Sequence, residues 1–295
     1  MKRPVFTGAA TAIITPFDEH GVDYDSFGKL IDWQIAEGID AIVAAGTTGE
    51  ASTLTDEEHR EVLKFCVERV AGRVPVIAGT GSNDTAYAIE LSRYADMIGA
   101  DGILLVTPYY NKATQRGLIE SFAATAKAVK CPVILYNVPS RTGCNILPAT
   151  AKELSRIDNI VGIKEASGNI SQIAQISALC GDDLIIYSGN DDQITPILSL
   201  GGKGVISVLS NLLPRETSRL VHDYLDGKTE DATAAQLKYL ALVNALFCEV
   251  NPIPVKAAMA AMGYCGNMLR LPLTPMEKEN EVKLLALMKD AGISF

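Results

Sequence analysis

Short apolar runs recur along the chain at Ala9–Ile14, Ala41–Ala45, Val76–Gly79, Ile103–Val106, Val133–Tyr136, Val161–Lys164, Leu184–Tyr187 and Val205–Val208. They are rich in Ile, Val and Leu and are bounded by Gly, Pro, Asn or Asp. Such runs suit strands covered on both faces, as in a parallel sheet. Helical patterns lie between them. Thr55 and Glu58 form a capping-box signature ahead of Val62, Cys66 and Val70, which share one helical face. The acidic residues of that first turn also favour the helix dipole. Asp84 to Ile98 reads as the next helix, stopped by Gly99. Strands alternating with helices imply right-handed crossovers.

Eight such runs could close into a barrel or form an open doubly wound sheet. The open fold usually carries G-x-G-x-x-G after its first strand, but here the chain reads Thr15, Pro16, Phe17, Asp18, Glu19. The expectation is therefore an α/β protein, a (β/α)8 TIM barrel, with residues 1–213 as the barrel core. From Pro214 onward the pattern is helical without further strands. Residues 214–295 are expected as C-terminal helices packed on the barrel, the final barrel helix among them, with no Ser/Gly-rich linker before them.

A length of 295 residues with 48% hydrophobic content suits one large barrel. The formal charge of −9, without long basic runs, argues against nucleic acid or an anionic membrane surface as partner. Cys66, Cys131, Cys144, Cys180, Cys248 and Cys265 show no C-x-x-C spacing and read as buried free thiols. His20, His59 and His222 form no metal-binding motif, so a protein-built metal site is not expected. Lys2 and Arg3 precede an apolar stretch to Phe17 that superficially resembles a signal peptide. Thr7, Thr11 and Thr15 interrupt it, and it runs into a turn at 16–21, so a first buried strand explains it better. No segment is apolar enough to cross a bilayer, and the cytoplasm is the expected compartment.

Barrel active sites lie at the C-terminal ends of the strands. Those ends supply many hydroxyls and one lysine, Lys164, which closes the run Ile160–Ile163. An amine nucleophile must be unprotonated, and apolar surroundings favour the neutral form. The competing reading is a lysine whose stem packs along the wall while its charge meets a carboxylate. Alternation sends Glu165 to the opposite face, so it need not neutralise its neighbour. Tyr136 ends the preceding strand and could relay protons beside Lys164, or be a core tyrosine with a satisfied hydroxyl. Thr47 and Thr48, between Gly46 and Gly49, offer hydroxyls and backbone N–H groups suited to a carboxylate, or a plain loop. Arg141 lies in a loop beyond the strand end, where it could clamp a second carboxylate or simply be solvated. Tyr109 and Tyr110 could be interface aromatics. Gly201–Gly204 precedes its strand and reads as a turn, not a phosphate cradle. His59 is expected on an exposed helical face. No G-x-S-x-G elbow occurs.

Three motifs in order, Gly46–Glu50, Tyr136–Pro139 with Arg141–Gly143, and Val161–Ser167, resemble the pyruvate-dependent class I aldolase superfamily that includes the N-acetylneuraminate lyases. The similarity runs nearly end to end and is strongest to the dihydrodipicolinate synthases, also called 4-hydroxy-tetrahydrodipicolinate synthases. That resemblance implies condensation of pyruvate with L-aspartate 4-semialdehyde, the first committed step of lysine and diaminopimelate biosynthesis. It implies that Lys164 forms an imine with pyruvate and that Thr47 and Thr48 hold the pyruvate carboxylate. Tyr136, Thr47 and a Tyr110 reaching across a tight dimer interface would relay protons, and Arg141 would receive the semialdehyde carboxylate. Backbone at Gly189 and Ile206 would line the pocket, without metal or cofactor. A homotetramer built from tight dimers is implied.

The alternative within the superfamily is an N-acetylneuraminate lyase or 2-keto-3-deoxy sugar-acid aldolase; Arg141 and Tyr110 favour the synthase. A catalytically silent barrel would be expected to lack part of the Lys164, Tyr136 and Thr47 set. In lysine-inhibited relatives the effector positions correspond to Ala51, Ser52, Asp56, His59, Asn83, Tyr87 and Tyr109. Those enzymes carry glutamate at the position of Tyr87, so weak or absent inhibition by lysine is expected.

Overall fold

In the computed structural model, residues 2–295 are described. Eight parallel strands close into a barrel in chain order: Gly8–Ala12, Ala41–Ala44, Val76–Gly79, Gly102–Val106, Val133–Asn137, Ile160–Glu165, Ile185–Ser188 and Gly204–Ser207. The first strand pairs with both the second and the eighth, which leaves no open edge. All eight expected runs are strands, with ends displaced by up to two residues.

Two apolar layers follow from strand alternation. Ala10, Val43, Ile77, Ile134 and Ile206 pack inside the barrel. A larger cluster, including Ile42, Ala78, Leu135 and Ile163, meets the surrounding helices. Phe6 and Tyr187 stack at 4.4 Å, and the Tyr187 hydroxyl donates to Phe6 O at 2.9 Å. Both belong to the apolar cluster inside the barrel.

The capping box at Thr55 is formed, with Glu58 N donating to Thr55 Oγ1 and Thr55 N donating to the Glu58 carboxylate. The next helix runs Thr85–Met97 behind an Asp84 cap and ends before Gly99, whose φ is +86°. Pro214–Leu225 packs against the first strand and completes the helical ring, and the helices Thr229–Lys238, Leu240–Ala245, Ile253–Ala261 and Lys278–Asp290 follow.

Several expectations need correction. A two-residue antiparallel hairpin, Phe17–Asp18 with Gly21–Val22, stands where a plain turn was expected. Arg141 sits in a one-turn helix, Pro139–Thr142, not in a loop. His59 is buried, not exposed: its helix packs that face on the barrel, and Nε2 meets Gly79 O at 2.8 Å. Four cysteines are buried, but Cys248 is exposed and Cys265 half-buried. Gly201 has φ +91°, in keeping with a turn before the eighth strand. Among the described residues no helix is long and apolar enough to cross a membrane, and no cluster of three or more His, Cys, Asp or Glu could hold a metal.

Candidate active site

A cavity of about 590 Å³ opens at the C-terminal ends of the strands. Lys164 enters it from the sixth strand, 7% exposed. Its Nζ forms no ion pair and no hydrogen bond among the described residues. In-register pairing of the fifth and sixth strands sets Tyr136 opposite Lys164, with Nζ 4.3 Å from the centre of the Tyr136 ring. Gly189 leaves room for the lysine, since a Cβ there would stand 3.1 Å from Lys164 Cε.

Thr47 and Thr48 line the same cavity from the turn after the second strand. Gly49 N donates to Gly46 O and Glu50 N to Thr47 O, both at 3.1 Å, and Ala45 and Glu50 have positive φ on either side. The turn therefore returns sharply on itself and presents both threonines to the mouth. Thr15 Oγ1 braces it by donating to Gly49 O at 2.7 Å.

Arg141 reaches the cavity from its short helix. The structure brings Lys164, Tyr136, Thr47, Thr48, Arg141 and Gly189 together around one space. Two expected residues stand apart from it. Ile206 is buried in the eighth strand and lines neither this cavity nor its neighbour; Val208 stands at the wall instead. Tyr110 is 93% exposed, with φ +69°, and lines neither cavity.

A second cavity, of about 430 Å³, shares Thr47, Tyr136 and Arg141 with the first. Ala51, Ser52, His59, Tyr87 and Tyr109 line it; Asp56 and Asn83 do not. Burial and the neighbouring Asp56 push the Tyr87 phenol up to about 12. The Asp56 carboxyl is held below its ordinary range chiefly by its hydrogen bond from Arg60.

Sequence reasoning missed the residues that close the mouth. Phe247, Cys248, Glu249, Val250 and Asn251, from the C-terminal region, line the first cavity. Asn251 Nδ2 donates to Thr48 Oγ1 at 3.0 Å, and Arg141 Nη2 donates to Asn251 O at 3.3 Å. One tail residue thus holds two expected site residues. Its signal was Asn251-Pro252-Ile253-Pro254, which breaks the helical pattern. Asp191 was also missed. It is fully buried behind the mouth, and Oδ2 accepts from Val208 N and Leu209 N, both at 2.9 Å. Burial pushes its carboxyl above the ordinary range, against those hydrogen bonds and the charge of Lys164.

This arrangement is a mouth of mixed polar and apolar lining with one unpaired amine, a phenol beside it, and two threonine hydroxyls and a guanidinium around the same space. The sequence profile of the Dihydrodipicolinate synthetase family matches residues 5–291. The chain belongs to that family. The 4-hydroxy-tetrahydrodipicolinate synthase of Acetivibrio thermocellus is 57% identical over 293 residues, 99% of this chain and 100% of the relative. The chloride-inhibited dihydrodipicolinate synthase of Acinetobacter baumannii, solved in complex with pyruvate, superposes with a TM-score of 0.96 at 45% identity. That match covers 98% of this chain and 99% of the solved one. The enzyme of Cyanidioschyzon merolae, solved with lysine bound, gives 0.96 at 41% identity, covering 99% and 100%. Family membership agrees with the resemblance carried by the three sequence motifs.

Proposed function

We propose that this chain is a 4-hydroxy-tetrahydrodipicolinate synthase, a lyase that condenses pyruvate with L-aspartate 4-semialdehyde through a Schiff base on Lys164. The observation that carries the reading is the buried, unpaired Lys164 amine beside the Tyr136 ring, in a family of this named activity. Lys164 Nζ adds to the pyruvate keto carbon, and the carbinolamine loses water to give the imine. Loss of a methyl proton yields the enamine, whose carbon attacks the aldehyde. The substrate's own amine then closes on the imine carbon and expels Lys164 as free amine.

In this scheme Thr47 and Thr48 hold the pyruvate carboxylate, and Tyr136 with Thr47 moves protons to and from the carbinolamine oxygen. Arg141 receives the semialdehyde carboxylate at the rim. Tyr110, exposed on its own chain, serves the site of a second copy, and Gly189 shapes the pocket wall beside Lys164. We infer a homotetramer of tight dimers acting in the cytoplasm on small-molecule substrates, with no nucleic acid or membrane partner. Lysine should inhibit weakly or not at all, because Tyr87 offers a phenol where an ammonium needs a carboxylate; a lysine titration of the rate checks this.

The deciding test is initial rates with pyruvate and the semialdehyde beside pyruvate with N-acetylmannosamine or glyceraldehyde, with products weighed by mass spectrometry. Cyclic product from the semialdehyde alone is expected. Turnover of a sugar aldehyde only would overturn the substrate and keep the Schiff base.

A further inference from the structure

The residues that follow Tyr136 and Lys164 are themselves partners. Asn137 and Glu165 face each other in the ladder one step beyond, and alternation turns both side chains away from the mouth. Both are fully buried between sheet and helices. Asn137 Nδ2 donates to both carboxylate oxygens of Glu165, at 3.2 and 3.1 Å, and Ser167 N donates to Oε1 at 2.8 Å. Asn137 is held in turn: its Nδ2 also donates to Asn145 Oδ1 at 2.9 Å, and its Oδ1 accepts from Ile146 N at 2.9 Å. Glu165 forms no ion pair among the described residues.

A buried carboxylate without a cation is costly, and an apolar pair of similar size would serve a purely structural layer better. The backbone ladder is irregular between Val133 and Ile134, so regular pairing does not run the full length of these two strands. The side-chain pair stands at the other end, one residue beyond the amine and the phenol.

We propose that Asn137 and Glu165 are a positioning pair, which locks the two strands in register and so fixes the phenol of Tyr136 against the amine of Lys164. The inference rests on the Schiff-base reading above. The pair touches no substrate; it acts through the residues in front of it. Proton transfer tolerates little displacement, so a shift of even an ångström at the mouth slows imine formation rather than binding.

The test uses the full chain and three variants: Glu165→Gln, Asn137→Asp, and the two substitutions together. Glu165→Gln exchanges one of the two acceptor oxygens facing Asn137 Nδ2 for a second donor, and Asn137→Asp removes that donor and sets carboxyl against carboxyl; the double change restores one amide and one carboxyl. Borohydride trapping of pyruvate counts competent sites and times imine formation at each. The single variants are expected to slow imine formation per competent site by roughly ten- to a hundredfold, with KM for pyruvate within about threefold of the parent. The double variant should recover much of the rate. Asn145→Ala, which removes only an outer brace, should give a smaller loss of the same kind. Fewer competent sites with an unchanged rate at each would mean a structural role and overturn the inference alone, as would a double variant no faster than the slower single. Failure of the parent to trap pyruvate would overturn the Schiff-base reading and this inference with it.

Discussion

Gly189 and Lys164 compete for the same few cubic ångströms. A Cβ on Gly189 would stand 2.7 Å from that of Ala166 as well as 3.1 Å from Lys164 Cε, and neither neighbour can retreat far inside a barrel. Gly189→Ala should therefore slow borohydride-trapped imine formation by about tenfold or more and, by overpacking, lower stability in urea unfolding by about 1–3 kcal/mol. His59 carries a different prediction. Burial holds its imidazole below the ordinary histidine range, against the hydrogen bond to Gly79 O. As pH falls from about 6.5 towards the folded value, the unfolded chain takes up a proton that the folded chain refuses, so stability is lost. Unfolding free energies at pH 7.5 and 5.5 should show a larger loss for the parent than for His59→Gln. At this scale the places of Lys164 and Tyr136 were legible, because both stand at strand ends, while the choice between site and core came from the three motifs. His59 was not legible: it shares a face with Val62, Leu63 and Cys66, but it stands at the start of that face among Asp56, Glu57, Glu58 and Arg60 and so looks solvated.

Elements were legible in proportion to how much sequence each one spans. The barrel strands are continuous apolar runs and declared themselves, while their ends moved because the first and last ladder bonds depend on neighbouring strands. The Phe17–Val22 hairpin has two residues per strand, too few for any period. The helix Pro139–Thr142 is one turn long, yet it carried punctuation in Pro139 at its first position and Gly143, with φ +66°, at its end. The capping box at Thr55 was readable because its logic is local. Thr55→Ala should cost about 1 kcal/mol in urea unfolding, with imine formation unchanged.

The molecule as a whole depends on contacts no local pattern announces. Lys256, fully buried, places Nζ 2.5 Å from Glu50 Oε1, donates to Met268 O at 2.7 Å and stands over the Phe17 ring. Burial draws the Lys256 amine below its ordinary range, against the attraction of Glu50. Arg270 N donates to the other Glu50 oxygen at 3.1 Å, and the Arg270 guanidinium pairs with Glu58. Glu50 ends the turn that carries Thr47 and Thr48, so the tail anchors the loop expected to hold pyruvate. Lys256→Met strands a buried carboxylate and should cost about 3–5 kcal/mol in urea unfolding. Replacing both partners with apolar residues should cost clearly less. Neither partner could be found from the other in the sequence, since a helix near the end and a turn near the start share no pattern until the barrel closes.

That anchoring sets an order in time. A chain emerging from its N-terminus presents Lys164, Tyr136 and the threonine turn long before Asn251, Lys256 and Arg270 exist to hold them. Domains form as synthesis proceeds, and these contacts to the mouth cannot form before residues 251–270 have been added. A copy cut before Asn251 would lose the contacts that hold Thr48, Arg141 and Glu50, and borohydride trapping of pyruvate on such a copy is expected to fail.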